Sequence, residues 1–275
     1  MNFLAKFATQ AMAGGVFLGL IFPVLADVFR PMLAPAVWGL LFLAMLRIDL
    51  TDLKERLRRP VFVIGLLVWM LVVMPVLMGI TLSFVDIRPG LEAAMVFAAG
   101  SSSLFSTPAL GFDMGADPLV LMARMGGLVM SAVVCVIIVR WLLGQKRLER
   151  NKTPIEGLSV ILPIIFAFAI MEGVTARIIE DPLDIAYVAG LSFATYIGMM
   201  VVGAAFFYWI VSGVGKRGAL SAGFVLGTRN LAIILAVLPA SLDGDIPLFF
   251  AIGQFPIYIM PMLLKPVFRR LLIER

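Results

Sequence analysis

The chain has no histidine and a single cysteine, Cys135. Without imidazole, zinc and haem sites lose their commonest nitrogen ligand, and acid–base catalysis loses its usual side chain near neutral pH. One thiol excludes an intrachain disulfide. Charge is scarce as well: Asp, Glu, Lys and Arg make up 14% of the 275 residues, while 62% are hydrophobic. A soluble domain carries about one quarter charged residues and an apolar fraction near one half, so this balance excludes an ordinary fold in water. No polar stretch is long enough for a soluble domain beside the apolar ones. The composition therefore predicts an all-α polytopic membrane protein. Its net charge of +5 does not point to nucleic acid, because Lys and Arg lie mostly in short loops and at the C-terminus, the pattern that orients membrane helices.

What the chain has in abundance is long apolar runs. Taking about 20 residues per span, helices are expected at 8–29, 32–47, 60–84, 90–112, 118–143, 155–174, 183–212, 219–240 and 246–267, nine in all. The first has a signal-like end at Leu25-Ala26-Asp27 but reads as a membrane helix, since its run nears spanning length and a second follows at once. Arg58-Arg59-Pro60, Arg88-Pro89-Gly90, Asp117-Pro118, Asp181-Pro182 and Lys216-Arg217-Gly218 punctuate the boundaries. Two basic stretches, Arg47 to Arg59 and Arg140 to Lys152, each want the cytoplasmic side. Three expected helices lie between them and would put them on opposite sides. Either the charge rule fails once or the helix count between them is wrong.

Inside these runs one pattern occurs twice, as Phe97-x-x-Gly100-Ser101-x-Ser103-Leu104 and Phe224-x-x-Gly227-Thr228-x-Asn230-Leu231. Each puts helix-weakening polar residues where a membrane helix should be smooth. Each is followed by an acidic turn ending in Pro-Leu, at Asp113 to Leu119 and at Asp243 to Leu248. Pro60 to Gly65 and Pro182 to Gly190 open the helix before each break. Two halves in the same order, about 8–143 and 155–267, suggest the inverted-repeat plan of secondary transporters, in which paired interrupted helices mark the binding site.

Backbone groups freed within a bilayer persist only where they line a cavity or face protein. In the first break Gly100, Ser101, Ser102, Ser103, Ser106, Thr107 and Pro108 combine hydroxyls, a flexible residue and one lacking an N–H. They read either as a binding segment or as a small-residue helix contact. In the second, Gly227, Thr228, Arg229 and Asn230 add a guanidinium far from either expected helix end. Such a charge is costly and normally faces a cavity or a counter-charge. Arg124 is a second candidate, or a residue that snorkels. Asp113 is a candidate for coupling through a proton or an Arg124 partner, whereas Asp117 before Pro118 reads as a helix cap. Gln254, near Pro256 and Pro261, either joins the cavity or makes a polar helix contact. Cys135 and the methionines read as packing.

The string Leu41 to Pro60, Val72-Val73-Met74-Pro75, the Gly/Ser break, the Gly-Ala-Asp turn before Pro118 and Gly227-Thr228-Arg229-Asn230 resemble the bile acid:sodium symporter family over nearly the whole chain. The resemblance implies an inverted-repeat transporter fold with two broken crossing helices. Its core helices would cover about 60–143 and 183–267, and its panel helices about 8–47 and 155–174. Bacterial members have ten helices, and the one missing here would follow Gly144. The family's sodium-ligand positions correspond to Met70, Val225 and Arg229, and its fifth-helix hydroxyls fall in Leu121 to Gly126, which has none. A guanidinium offers no oxygen and repels a cation, so sodium dependence is doubtful and no metal or other cofactor is expected.

The resulting expectation is a multi-pass protein of the cell (inner) membrane. It would move a small or amphipathic organic anion by alternating access, with Arg229 and Arg124 offering positive charge where sodium would sit. The expected partners are that anion and the lipid bilayer. Loss of ion ligands keeps an uncoupled facilitator or channel, or a transporter-derived sensor, as the alternative. Arsenite export lacks a thiol at the first break. An intramembrane aspartyl enzyme lacks a deep partner for Asp243 and Asp245.

Overall fold

A computed structural model describes residues 14–48, 64–65, 67–100, 118–150, 152–211, 214–228, 232–237 and 244–273. In chain order the helices are α1 (14–21), α2 (Pro23–Phe29), a 3-10 turn (Arg30–Met32), α3 (Leu33–Leu46), a π-helical turn (Trp69–Val73) leading into α4 (Met74–Leu82), and α5 (Pro89–Gly100). There follow α6 (Pro118–Arg150), α7 (Lys152–Ala169), α8 (Val174–Glu180), α9 (Pro182–Trp209), α10 (Lys216–Gly227), α11 (Ala232–Val237), α12 (Asp245–Ile252) and α13 (Gln254–Ile273). Among the described residues, five segments are long and apolar enough to cross a membrane: Pro23–Leu46, Ala123–Gly144, Gly157–Glu180, Pro182–Trp209 and Asp245–Phe268. Bulky apolar side chains are widely exposed, Phe84 at 84%, Leu183 at 82% and Trp209 at 78% among them. Water would penalise that surface, whereas lipid does not. The described residues thus form an all-α membrane protein.

The helices divide into two compact units. The first takes Met1–Leu67, Ala116–Ala176 and Ala232–Pro239, and the second Val68–Gly115, Arg177–Leu231 and Ala240–Arg275.

In the first unit α1 runs parallel to α7. A Cβ on Gly15 would meet Ala167 at 3.1 Å, one on Gly19 would meet Met171 at 3.1 Å, and Thr175 donates to the Leu20 carbonyl at 2.9 Å. The chain then returns antiparallel. Phe29 packs on Phe168, Arg30 pairs with Glu172, and Gly39 faces Leu162. The reversal is at Phe22, whose φ of −119° and ψ of 73° begin α2. The sequence-based boundary between 29 and 32 is therefore wrong by several residues. The proline ring of Pro23 bars Phe22 from the helical region. Pro31 breaks nothing, because it opens a 3-10 turn at a position that needs no N–H.

Helix α6 lies on the other side of α3 and runs parallel to it. The Trp38 indole donates to the Ser131 hydroxyl at 2.9 Å, and the Arg140 guanidinium donates to the carbonyls of Met45, Leu46 and Ile48 at 3.4, 3.0 and 2.6 Å. A cation against the last carbonyls of a helix also answers the negative end of its dipole. Arg47 and the Arg140–Lys152 stretch thus lie at one end of the unit. Parallel α3 and α6 put their basic ends together, as the charge rule asks. Helix α6 is broken at Gly144, whose φ of 66° and ψ of 161° are not helical, so its apolar span closes beside the expected end at 143 and a separate helical stretch runs on to Arg150. Helix α7 stops at Ala169, ahead of the expected 174, and the turn that follows places Gly173 at φ 72°.

Candidate functional site

In the second unit α5, α9 and α12 start together. Arg88, just before α5, donates to Asp184 in the first turn of α9 at 2.6 Å and lies 3.5 Å from Asp245 at the start of α12. Arg177 completes the cluster at 3.9 Å from Asp245. Asp181 caps α9 by accepting from the Asp184 N–H at 3.0 Å, and Pro182 follows at the first helical position. These pairs are partly exposed, so each stabilises by at most about 1 kcal/mol. Their effect is to set three parallel helices in common register.

That register gives depth. At about 1.5 Å per residue, Ser192 lies about 12 Å beyond the cluster along α9, Gln254 about 14 Å beyond it at the head of α13, and Gly100 about 18 Å along α5. These distances are about half the roughly 30 Å thickness of a hydrocarbon core. The polar groups at this level are buried: Ser192 is 0%, Tyr196 1%, Thr195 3% and Gln254 1% exposed.

Helix α10 enters the same level antiparallel to α9, and glycine makes the approach. A Cβ on Gly223 would lie 2.5 Å from the Met200 carbonyl oxygen, and one on Gly227 would lie 2.8 Å from the Tyr196 carbonyl oxygen. Thr228 leaves helical geometry at φ −116° and ψ 49°, ending α10 beside Tyr196. Its hydroxyl donates back to the Phe224 carbonyl at 2.7 Å. The Tyr196 ring crosses to the α12–α13 turn, where its hydroxyl lies 3.0 Å from the Cβ position of Gly253. Next to it, the Gln254 amide donates to the Phe250 carbonyl at 3.1 Å, and the Phe250 ring meets the edge of Phe97 at 6.1 Å. Phe97 is one turn before Gly100, where the described part of the first break ends. Phe97, Phe250, Gln254, Gly253 and Tyr196 thus lie in succession between the end of α5 at Gly100 and the end of α10 at Gly227.

Thr195 donates to the Leu191 carbonyl at 2.8 Å, while the Ser192 hydroxyl has no partner among the described residues. Ser192, Thr195 and Tyr196 were not singled out from the sequence. Their signal was available: spacing of three and four puts them on one stripe of an otherwise apolar helix.

Of the expected site residues, Gly100, Gly227, Thr228 and Gln254 are described and lie in the second unit, with Gly100, the end of α10 and Gln254 connected through intervening residues and not by direct contact in the distances above. Ser101, Ser102, Ser103, Ser106, Thr107, Pro108, Asp113, Arg229 and Asn230 lie outside the described residues. Arg124 is an exposed residue of α6 in the first unit. Met70 falls within the π-helical turn, whose Trp69 stacks on Phe206 at 3.7 Å, and Val225 is 56% exposed. Neither side chain has an oxygen to give a cation. Compared with known protein families and with proteins of curated function, the chain matches no family model and no curated protein.

Proposed function

We propose that the protein is a multi-pass secondary transporter of the cell (inner) membrane that carries a small or amphipathic organic anion by alternating access. The observation that supports this reading is the buried polar seam of Ser192, Thr195, Tyr196 and Gln254, against which α10 ends at Thr228. Paired interrupted helices at the bilayer centre are how inverted-repeat transporters present backbone dipoles to a substrate. Such unwinding is tolerated only against protein or a cavity. The resemblance to bile acid:sodium symporters supplies the core-and-panel architecture of this proposal. Arg229, the residue after Thr228, supplies the positive charge, and a guanidinium suits a carboxylate or sulfonate bidentately.

The test is uptake into proteoliposomes of a steroid sulfonate and of a short carboxylate, with and without a sodium gradient. Accumulation lost in Arg229→Gln, with the fold retained, supports the proposal. Sodium-dependent binding that survives Arg229→Gln unchanged refutes it. A second reading has one observation in its favour, since Met70 and Val225 stand where the resemblance puts ion ligands. A facilitator without a coupling ion would equilibrate the anion but not accumulate it, and a sensor would bind without flux.

A further inference from the structure

The first unit carries its charge unevenly along its axis. At the end where α3 and α6 finish, Arg47 and Arg147 are exposed and Arg140 is held against the α3 carbonyls. The opposite end has Asp27 and the Arg30–Glu172 pair. The sequence around the first end is basic even after its acids are counted: Arg47 to Arg59 has five Lys/Arg against Asp49, Asp52 and Glu55, and Arg140 to Lys152 has five against Glu149. Approaching that end, α6 presents Ile137 at 61% exposure and then Trp141 at 82%. Apolar surface, then an indole, then exposed guanidinium groups is the order of layers met on leaving hydrocarbon for headgroups. A strongly exposed Trp beside a cation has little to gain in water, whereas at the headgroup level its ring and N–H are both accommodated.

We propose that this end faces the cytoplasmic leaflet and is a docking surface for anionic phospholipid headgroups. Arg47 and Arg147 meet the phosphates and Trp141 anchors the depth. Arg140 does not compete for the lipid, because three carbonyls already fix its guanidinium; it holds the α3 terminus in place below the surface.

The experiment uses the full chain in nanodiscs of phosphatidylcholine with and without phosphatidylglycerol, and reads the lipids retained per protein together with the thermal unfolding midpoint. The wild type should enrich phosphatidylglycerol and unfold later in its presence, with the gain fading as salt is raised. The Arg47→Gln/Arg147→Gln variant should lose preference for phosphatidylglycerol by about fivefold per Arg removed, and Arg47→Lys/Arg147→Lys should restore it. Equal behaviour of the wild type in the two lipids overturns the proposal, and that comparison needs no variant to fold. So does a Gln variant that keeps the full preference. A midpoint gain reproduced by inorganic phosphate alone overturns it too, by showing a general anion effect.

Discussion

Gly223 and Gly244 lie in one unit and differ in what hems them in. A methyl on Gly223 would strike backbone, the Met200 carbonyl at 2.5 Å and the Ala204 N–H at 2.8 Å. Two packed helices cannot yield locally, so Gly223→Ala should destabilise by about 1–3 kcal/mol and lower the unfolding midpoint. A methyl on Gly244 would strike only the tip of the Arg177 side chain. That side chain can swing away, so Gly244→Ala should shift the midpoint far less, within about 0.5 kcal/mol. Gln254 separates structure from transport in the same way. Its amide makes one neutral hydrogen bond, to the Phe250 carbonyl in α12, so Gln254→Leu should cost no more than about 1–2 kcal/mol. If the polar seam is the transport site, uptake should nevertheless fall sharply in that variant. At this scale the sequence was legible where polarity interrupts an apolar run, as at Gly227 and Gln254. It was not legible where polar residues leave the helix intact: Ser192 and Tyr196 continue α9 smoothly, and only their burial marks them.

Elements were legible as apolar runs, and their ends less so. A charged residue looks like the end of a membrane helix, yet Arg30 lies inside a helical run because Glu172 answers it. The true stop is Phe22, set by local sterics with Pro23. Gly144 is the reverse case, a single residue whose φ of 66° and ψ of 161° lie in a region essentially confined to glycine. Gly144→Ala should cost about 1–3 kcal/mol, measured as a lowered unfolding midpoint. An unchanged midpoint would mean the chain can turn there by another route. The π-helical turn at Trp69–Val73 had no periodic signature, since one extra residue in a turn barely disturbs an all-apolar pattern.

Across the whole molecule, the sequence showed that the chain is helical and lipid-exposed but not which way each helix runs. Direction depends on side-chain contacts between helices distant in the sequence, such as Arg140 with Ile48, and no local pattern carries that information. Parallel α3 and α6 make a direct prediction for vesicles of known orientation. In a Cys135→Ala background, cysteines at Ile48 and Arg147 should react with an impermeant thiol reagent from one side, and a cysteine at Val28 from the other. Labelling of Ile48 and Arg147 from opposite sides would refute the parallel arrangement.

The same contacts constrain how the protein is made. The Trp38–Ser131 bond spans 93 residues, and α11 reaches the first unit only after most of the chain has been synthesised. Hairpin α9–α10 closes between near neighbours and can form as it leaves the ribosome. Helix α3 must instead wait in the membrane without its Trp38 and Arg140 contacts until α6 has been inserted. Nascent chains halted before α6 should therefore be the form that quality-control proteases degrade, and those halted after it should survive.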